Sequence, residues 1–191
     1  MMIQEAGVQQ LNHRKRTKPV SFRLSEELVY ELRKEASLRQ EDLGSFGRVI
    51  LSRYIDWERH SSKVHLIPVT KEFLKDTLEY LPDEVVKRLA AKAGRNMLVE
   101  LTLIAQGCLT AEAFVSVFNE WLRASEMTFR FEKADGYDYA ISHSLGKKWS
   151  IYLQSMVEAM CEELPTKTHC SFETKPERIS IHLKPQHVNA R

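Results

Sequence analysis

The residues best placed to do chemistry lie near the start of the chain. Up to Leu24, Arg14, Lys15, Arg16, Lys18 and Arg23 stand against Glu5 alone, a local charge of +4 in a protein of formal net charge +2. The rest therefore carries −2. A basic arm ahead of a slightly acidic body suits contact with a polyanion, since each phosphate neutralised releases a condensed counterion. The same run would also serve as a solvated tail. A second candidate is histidine. If a late hairpin turns at Lys175-Pro176, His169 lies opposite His182, and two facing imidazoles could hold a divalent ion or titrate together. No third ligand is assigned, so no metal site is expected and the pair reads as exposed polar residues. His143 shares strand parity with Tyr139 and Ile141, which favours a hydrogen-bonded core histidine over a pocket lip. Lys147 and Lys148 oppose the dipole of the helix they begin and hint at an anionic partner. No nucleophile–His–acid order, HExxH, phosphate loop or dinucleotide pattern is present, so neither an enzyme nor a cofactor is expected.

The frame holding these residues is that of a globular protein. Of 191 residues, 43% are hydrophobic and 28% charged, and no apolar run approaches the roughly 20 residues of a membrane span. Met1–Leu11 has no apolar segment of a signal peptide. Cys108, Cys161 and Cys170 lack CxxC spacing and read as reduced, mostly packed thiols in a cytoplasmic protein.

Residues 1–17 read as a disordered basic arm and 185–191 as a tail. Val20-Ser21-Phe22-Arg23-Leu24 alternates apolar and polar, a half-buried strand that Pro19 begins. Ser25 then caps a helix with Glu26 and Glu27 in its first turn and Leu28, Leu32 and Ala36 on one face. The pattern breaks at Gln40–Gly44. It resumes with Phe46, Val49, Ile50, Tyr54 and Trp57 at amphipathic spacing. Residues 59–68 read as a linker. From 69 to 184 the pattern predicts a helical block: Thr70 to Tyr80, a helix opened by Leu81-Pro82-Asp83, a break at Gly94, Asn96–Cys108, and Thr110 to Ser125. A β-β-α-β-β unit follows, with strands at Met127–Phe131 and Tyr137–Ile141, a helix at Trp149–Leu164 and a hairpin around Lys175-Pro176. In the first hairpin a three-residue loop with left-handed Gly136 pairs Phe131 with Tyr139 and Phe129 with Ile141, keeping the apolar set on one face. The fold class is α+β. Trp149, Tyr152 and Met156 are core at helical spacing.

About 40 residues of strand and two helices cannot bury a self-sufficient core, and a lone strand leaves its backbone unpaired. Both problems vanish if two chains pair their strands and interlock four helices. The order of strand, Ser-Glu-Glu cap, break and second helix over residues 18–57 resembles the ribbon–helix–helix family of DNA-binding proteins. The resemblance implies a homodimer whose two-stranded ribbon enters the major groove of double-stranded DNA. By strand parity Ser21 and Arg23 would face bases, Arg23 reading guanine through O6 and N7. Val20, Phe22, Leu24, Leu28, Leu32, Phe46, Ile50 and Tyr54 would form the dimer core. Phosphates would be held by Arg14, Lys15, Arg16 and Lys18, and at the start of the second helix by Gly44, Ser45 and Arg48. Pro19 departs from the pattern where a third base-reading residue would stand, so two dimers side by side, or the arm, would be needed for useful specificity.

The expectation is a homodimeric transcription regulator of prokaryotic type. Its C-terminal part would serve sensing of a small-molecule effector, oligomerisation or partner-protein binding. Two other readings stand beside it: an antitoxin-type module binding DNA and a partner protein, and a ligand- or metal-binding protein that dimerises through its N-terminus. The helix caps and hairpins after residue 69 suggest a pre-folded part, which disfavours the antitoxin reading.

Overall fold

Helix α1, Glu26–Leu38, begins where the sequence places its cap. Ser25 Oγ accepts the Leu28 N–H at 3.3 Å, and Glu26 and Glu27 occupy the first turn. This computed structural model describes residues 18–186. The arm 1–17 and the end 187–191 lie outside the described residues. The chain divides into two units, Met1–Gly47 and Arg48–Arg191. The boundary between them falls inside the second helix.

In the first unit, residues 18–25 carry no regular secondary structure. The strand expected at Val20–Leu24 is absent, and no N-terminal ribbon forms. The reason is physical: the only partner that reading offers is the same segment of a second copy, and an unpaired segment has no ladder to define it. Helix α1 closes with Gln40 in the left-handed conformation, φ 57°. Gln40 N–H donates to the Ser37 carbonyl and Glu41 N–H to that of Ala36, at 3.0 and 2.9 Å. This is the two-bond helix stop that glycine usually occupies. Helix α2, Leu43–Arg53, follows at once.

In the second unit the backbone of α2 runs on as a π-helical stretch, Tyr54–Glu58, a short α3, Arg59–Ser61, and a 3-10 turn, Ser62–Val64. The linker expected at 59–68 is therefore helical in its first half, and His60 within it is buried. Helix α4, Lys71–Glu79, is capped by Thr70 Oγ1 on the Phe73 N–H. Helix α5, Asp83–Lys92, leads through a π-helical stretch, Ala93–Leu98, into α6, Val99–Gln106. Gly94 thus does not break the helix. It lies buried where that helix meets a later one, and a Cβ there would sit 2.2 Å from the Met156 carbonyl oxygen. The glycine serves close packing, which helical periodicity cannot reveal. Helix α7, Ala111–Ala124, is capped by Thr110.

The strands β1, Thr128–Lys133, β2, Tyr137–Ser142, β3, Thr168–Lys175, and β4, Arg178–Pro185, form one antiparallel sheet in the order β1-β2-β4-β3. Helix α8, Gly146–Glu163, joins the two hairpins. Phe131 pairs with Tyr139 and Phe129 with Ile141, as the alternation requires. Gly136 in that hairpin is not left-handed. Its missing Cβ is needed instead because the Leu183 carbonyl oxygen would lie 2.5 Å from it. In the second hairpin Lys175 pairs with Arg178, so His169 stands opposite Lys184, and His182 opposite Ser171. The expected facing of His169 and His182 fails because the loop is Pro176-Glu177, one residue later than assumed.

One core holds this unit together. Phe114, Phe118 and Leu122 of α7, Leu153, Met156 and Met160 of α8, and Tyr139, Ile141, Ile179, Ile181 and Leu183 of the sheet are all buried in it. At about 1.5–3 kcal/mol for each large apolar side chain buried, it dominates the unit's stability.

Candidate nucleic-acid interface

The residues assigned to DNA bases, Ser21 and Arg23, lie exposed in the segment before α1, as does Lys18. Neither Ser21 nor Arg23 has a hydrogen bond or ion pair among the described residues. Arg14, Lys15 and Arg16 fall outside them. Charge in the first unit is distributed unexpectedly. Residues 18–47 hold five cations and six carboxylates, a net charge of −1. The basic character lies almost wholly in the arm, with Lys18 and Arg23 its continuation.

The start of α2 holds an anion already. Asp42 Oδ1 accepts the Ser45 N–H at 2.9 Å, and the Asp42 carbonyl accepts the Phe46 N–H at 3.0 Å. The Ser45 hydroxyl, then its backbone N–H, hold the Asp42 carboxyl below its ordinary value of 3.8. Asp42 is thus a charged N-cap at the place where Gly44 and Ser45 were expected to receive a phosphate. Sequence reasoning missed it, although the signal was available: an Asp three residues before Ser45, at a break between two apolar periods. Gly44 and Arg48 are exposed and Ser45 is half-buried. The Arg39 guanidinium lies over the Phe46 ring, 5.2 Å from its centroid, a contact that ties the turn to α2.

The expected dimer core divides sharply. Phe46 is buried and Leu32 half-buried. Val20 and Phe22 are 72% and 65% exposed, and Leu24, Leu28, Ile50 and Tyr54 are exposed as well. Val49, Leu51 and Ile55 add to the apolar surface on and after α2.

In the second unit the polar candidates are occupied by the fold. His143 Nε2 lies 2.9 Å from Ser150 Oγ, whose hydroxyl donates to the Lys175 carbonyl at 2.7 Å. His143 Nδ1 accepts the Leu145 N–H at 3.4 Å, so Nε2 carries the hydrogen. Burial holds this ring's pKa below its ordinary 6.5. It is a half-buried histidine whose two ring nitrogens are both hydrogen-bonded within the fold. Lys148 donates to the Leu81 carbonyl at 2.7 Å and pairs with Asp83. It is committed to internal partners. His182 Nδ1 lies 2.6 Å from Asp138 Oδ1 across neighbouring strands. Among the described residues no group of three or more His, Cys, Asp or Glu side chains could hold a metal ion, and no single helix is long and apolar enough to cross a membrane. The thiols of Cys108, Cys161 and Cys170 are free, with Cys108 exposed and Cys161 buried. Comparison with protein families, curated proteins and solved structures finds nothing that this chain matches.

Proposed function

We propose that this chain is a homodimeric, cytoplasmic DNA-binding transcription regulator. Residues 18–57 of two copies would pair into a ribbon over four interlocked helices, and the C-terminal part would carry sensing or partner binding. The observation that carries the reading is the apolar surface. Six of the eight residues assigned to the dimer core lie exposed in the single chain: Val20, Phe22, Leu24, Leu28, Ile50 and Tyr54. Val20, Phe22, Leu24 and Leu28 leave large apolar side chains in the open within one short segment, which a partner surface would cover. A second copy would bury it and give residues 20–24 the ladder they lack. Arg23 and Ser21, which have no hydrogen bond or ion pair among the described residues, would then project from the ribbon toward base edges.

The test has two parts. Sedimentation should give the mass of a dimer, and a monomer in solution would remove the ribbon. DNA affinity, measured against salt on sequences selected from random duplex, should fall steeply as salt rises. Arg23→Ala should weaken the selected sequence about tenfold, while random duplex changes far less. Equal losses on both would make Arg23 a phosphate contact, and a salt slope near zero would end the DNA-binding reading.

A further inference from the structure

Helix α8 lies over the edge strand β3, and two hydrogen bonds fix how they align. Ser150 Oγ donates to the Lys175 carbonyl at 2.7 Å, and Thr174 Oγ1 donates to Gln154 Oε1 at 3.1 Å. Only residues 164–167 join helix to strand, so the two run in opposite directions. Two turns on from Gln154, about 10.5 Å along the axis, the same face of the helix presents Cys161. Thr174, Phe172 and Cys170 share one face of the strand, with Cys170 about 13 Å back from Thr174. The two cysteines therefore meet on the facing surfaces of α8 and β3. Both belong to one core, with Cys161 buried in it and Cys170 packed against it.

Their surroundings assign the two thiols different roles. Cys170 is half-buried on an edge strand, whereas Cys161 is 6% exposed. The Cys170 S–H donates to the Thr168 carbonyl at 3.8 Å, which leaves its sulfur to accept the Cys161 S–H. That hydrogen bond holds the Cys170 thiol below its ordinary 9.0, against burial and the charge of Glu158. Together with burial, it pushes the Cys161 thiol up. The thiolate is the nucleophile of cysteine chemistry, so reactivity collects on the more accessible sulfur. Among the described residues no further ligand joins the pair to make a metal site.

We propose that Cys170 and Cys161 form a peroxide-reactive dithiol, in which Cys170 attacks and Cys161 resolves. The Cys170 sulfur bonds to one oxygen of hydrogen peroxide and the O–O bond breaks. The other oxygen leaves as water with the proton that Cys170 gave up, and Cys170 becomes a sulfenic acid. The Cys161 sulfur then bonds to the Cys170 sulfur and the S–O bond breaks. The hydroxyl leaves as a second water with the Cys161 proton. Two thiols lose two electrons in all, and one peroxide becomes two waters. The disulfide ties the end of α8 to β3, and a dithiol reductant restores the pair. Both residues lie in the second unit and neither belongs to the DNA contacts, so this chemistry is independent of DNA binding.

The experiment treats the full chain with hydrogen peroxide, in a Cys108→Ser parent that removes the exposed third thiol. Intact mass and thiol alkylation follow the reaction. The mass should fall by two hydrogens, a peptide joined through Cys161 and Cys170 should appear, and dithiothreitol should restore both thiols. With Cys161→Ser added, oxidation should stop at one added oxygen on Cys170, a sulfenic acid that dimedone captures. With Cys170→Ser added, oxidation of Cys161 should be about tenfold slower or more. Cys161→Ala and Cys170→Ala, read by the same masses, replace any serine variant whose circular dichroism departs from the parent's. No joined peptide up to millimolar peroxide, or Cys170→Ser oxidising as fast as the parent, would overturn the proposal. So would a disulfide that forms only between copies.

Discussion

The two units put their large apolar side chains to opposite use. In the second, aromatic and aliphatic residues from α7, α8 and the sheet are enclosed in one core. In the described part of the first, Ala36 and Phe46 alone are buried, while Val20, Phe22, Leu24, Leu28 and Tyr30 face outward. The second unit is specified by contacts distant in sequence. The first is held by local devices: the Ser25 cap, the stop at Gln40, the Asp42 cap and the Arg39–Phe46 contact. Local devices define helices but contribute little to a core, typically about 1 kcal/mol for each cap.

Helical glycines give the largest contrast. In the second unit, Gly94→Ala drives a methyl group toward a backbone oxygen at 2.2 Å, with Ala159 Cβ and Met160 N at 3.1 Å. Backbone cannot yield as a side-chain tip does, so about 3 kcal/mol or more should be lost. Denaturant unfolding checks this, and a loss under about 1 kcal/mol would mean the helices slide apart freely. In the first unit, a methyl group on Gly47 meets nothing within 4 Å. Gly47→Ala should stabilise by about 0.5–1 kcal/mol through helix propensity alone. Destabilisation instead would favour the proposed dimer with the second copy packed against Gly47.

Of intermediate size is the chain of hydrogen bonds His143–Ser150–Lys175 in the second unit. Ser150→Ala leaves the His143 Nε2–H and the Lys175 carbonyl unpaired, a cost of about 1–3 kcal/mol. The same site predicts a pH dependence. His143 and His60 both have pKa values lowered by burial from 6.5. At high pH both states are neutral. As pH falls below 6.5 the unfolded chain takes up protons that the folded chain resists, so stability is lost until the folded rings protonate too. Thermal melts on either side of 6.5 should show the second unit weakening on the acid side, and His143→Gln should flatten that slope.

The contrast between local and distant contacts also governs what is legible in the sequence. Caps and alternation are local, so Ser25, Thr70 and Thr110, and the pairing of Phe131 with Tyr139, can be read from the residues themselves. Close approach is not local. Gly94 reads as a helix break and Gly136 as a left-handed turn, yet each is small because another segment's backbone comes within 2.5 Å of where its Cβ would be. The second hairpin departs from its expected register because Lys175-Pro176-Glu177-Arg178 admits two loop placements of the same facial parity, which hydrophobic patterning cannot separate. In the candidate interface, strand parity picks out Ser21, Arg23 and the apolar set. Asp42 is masked by the glycine and serine that follow it, which carry the plainer signature of a phosphate-binding helix start.

Asp42 yields the smallest effect on stability and the sharpest question about the first unit. Asn caps a helix about as well as Asp, so Asp42→Asn should change stability by only a few tenths of a kcal/mol. The carboxylate is held below 3.8 by Ser45 and stays charged at any ordinary pH, so only substitution removes its charge. If a phosphate sits at the start of α2 beside Gly44, Ser45 and Arg48, that charge opposes it at the positive end of the helix dipole. Removing it should tighten DNA binding about two- to fivefold per copy, following the 0.3–1 kcal/mol of a charge at a helix terminus. The gain should appear equally on selected and random duplex, since phosphates carry no sequence. Unchanged affinity would put the phosphates elsewhere and leave the arm, with Lys18, as the main electrostatic contact. Weaker binding, confined to the selected sequence, would make Asp42 itself a reader of bases, accepting from a cytosine amino group.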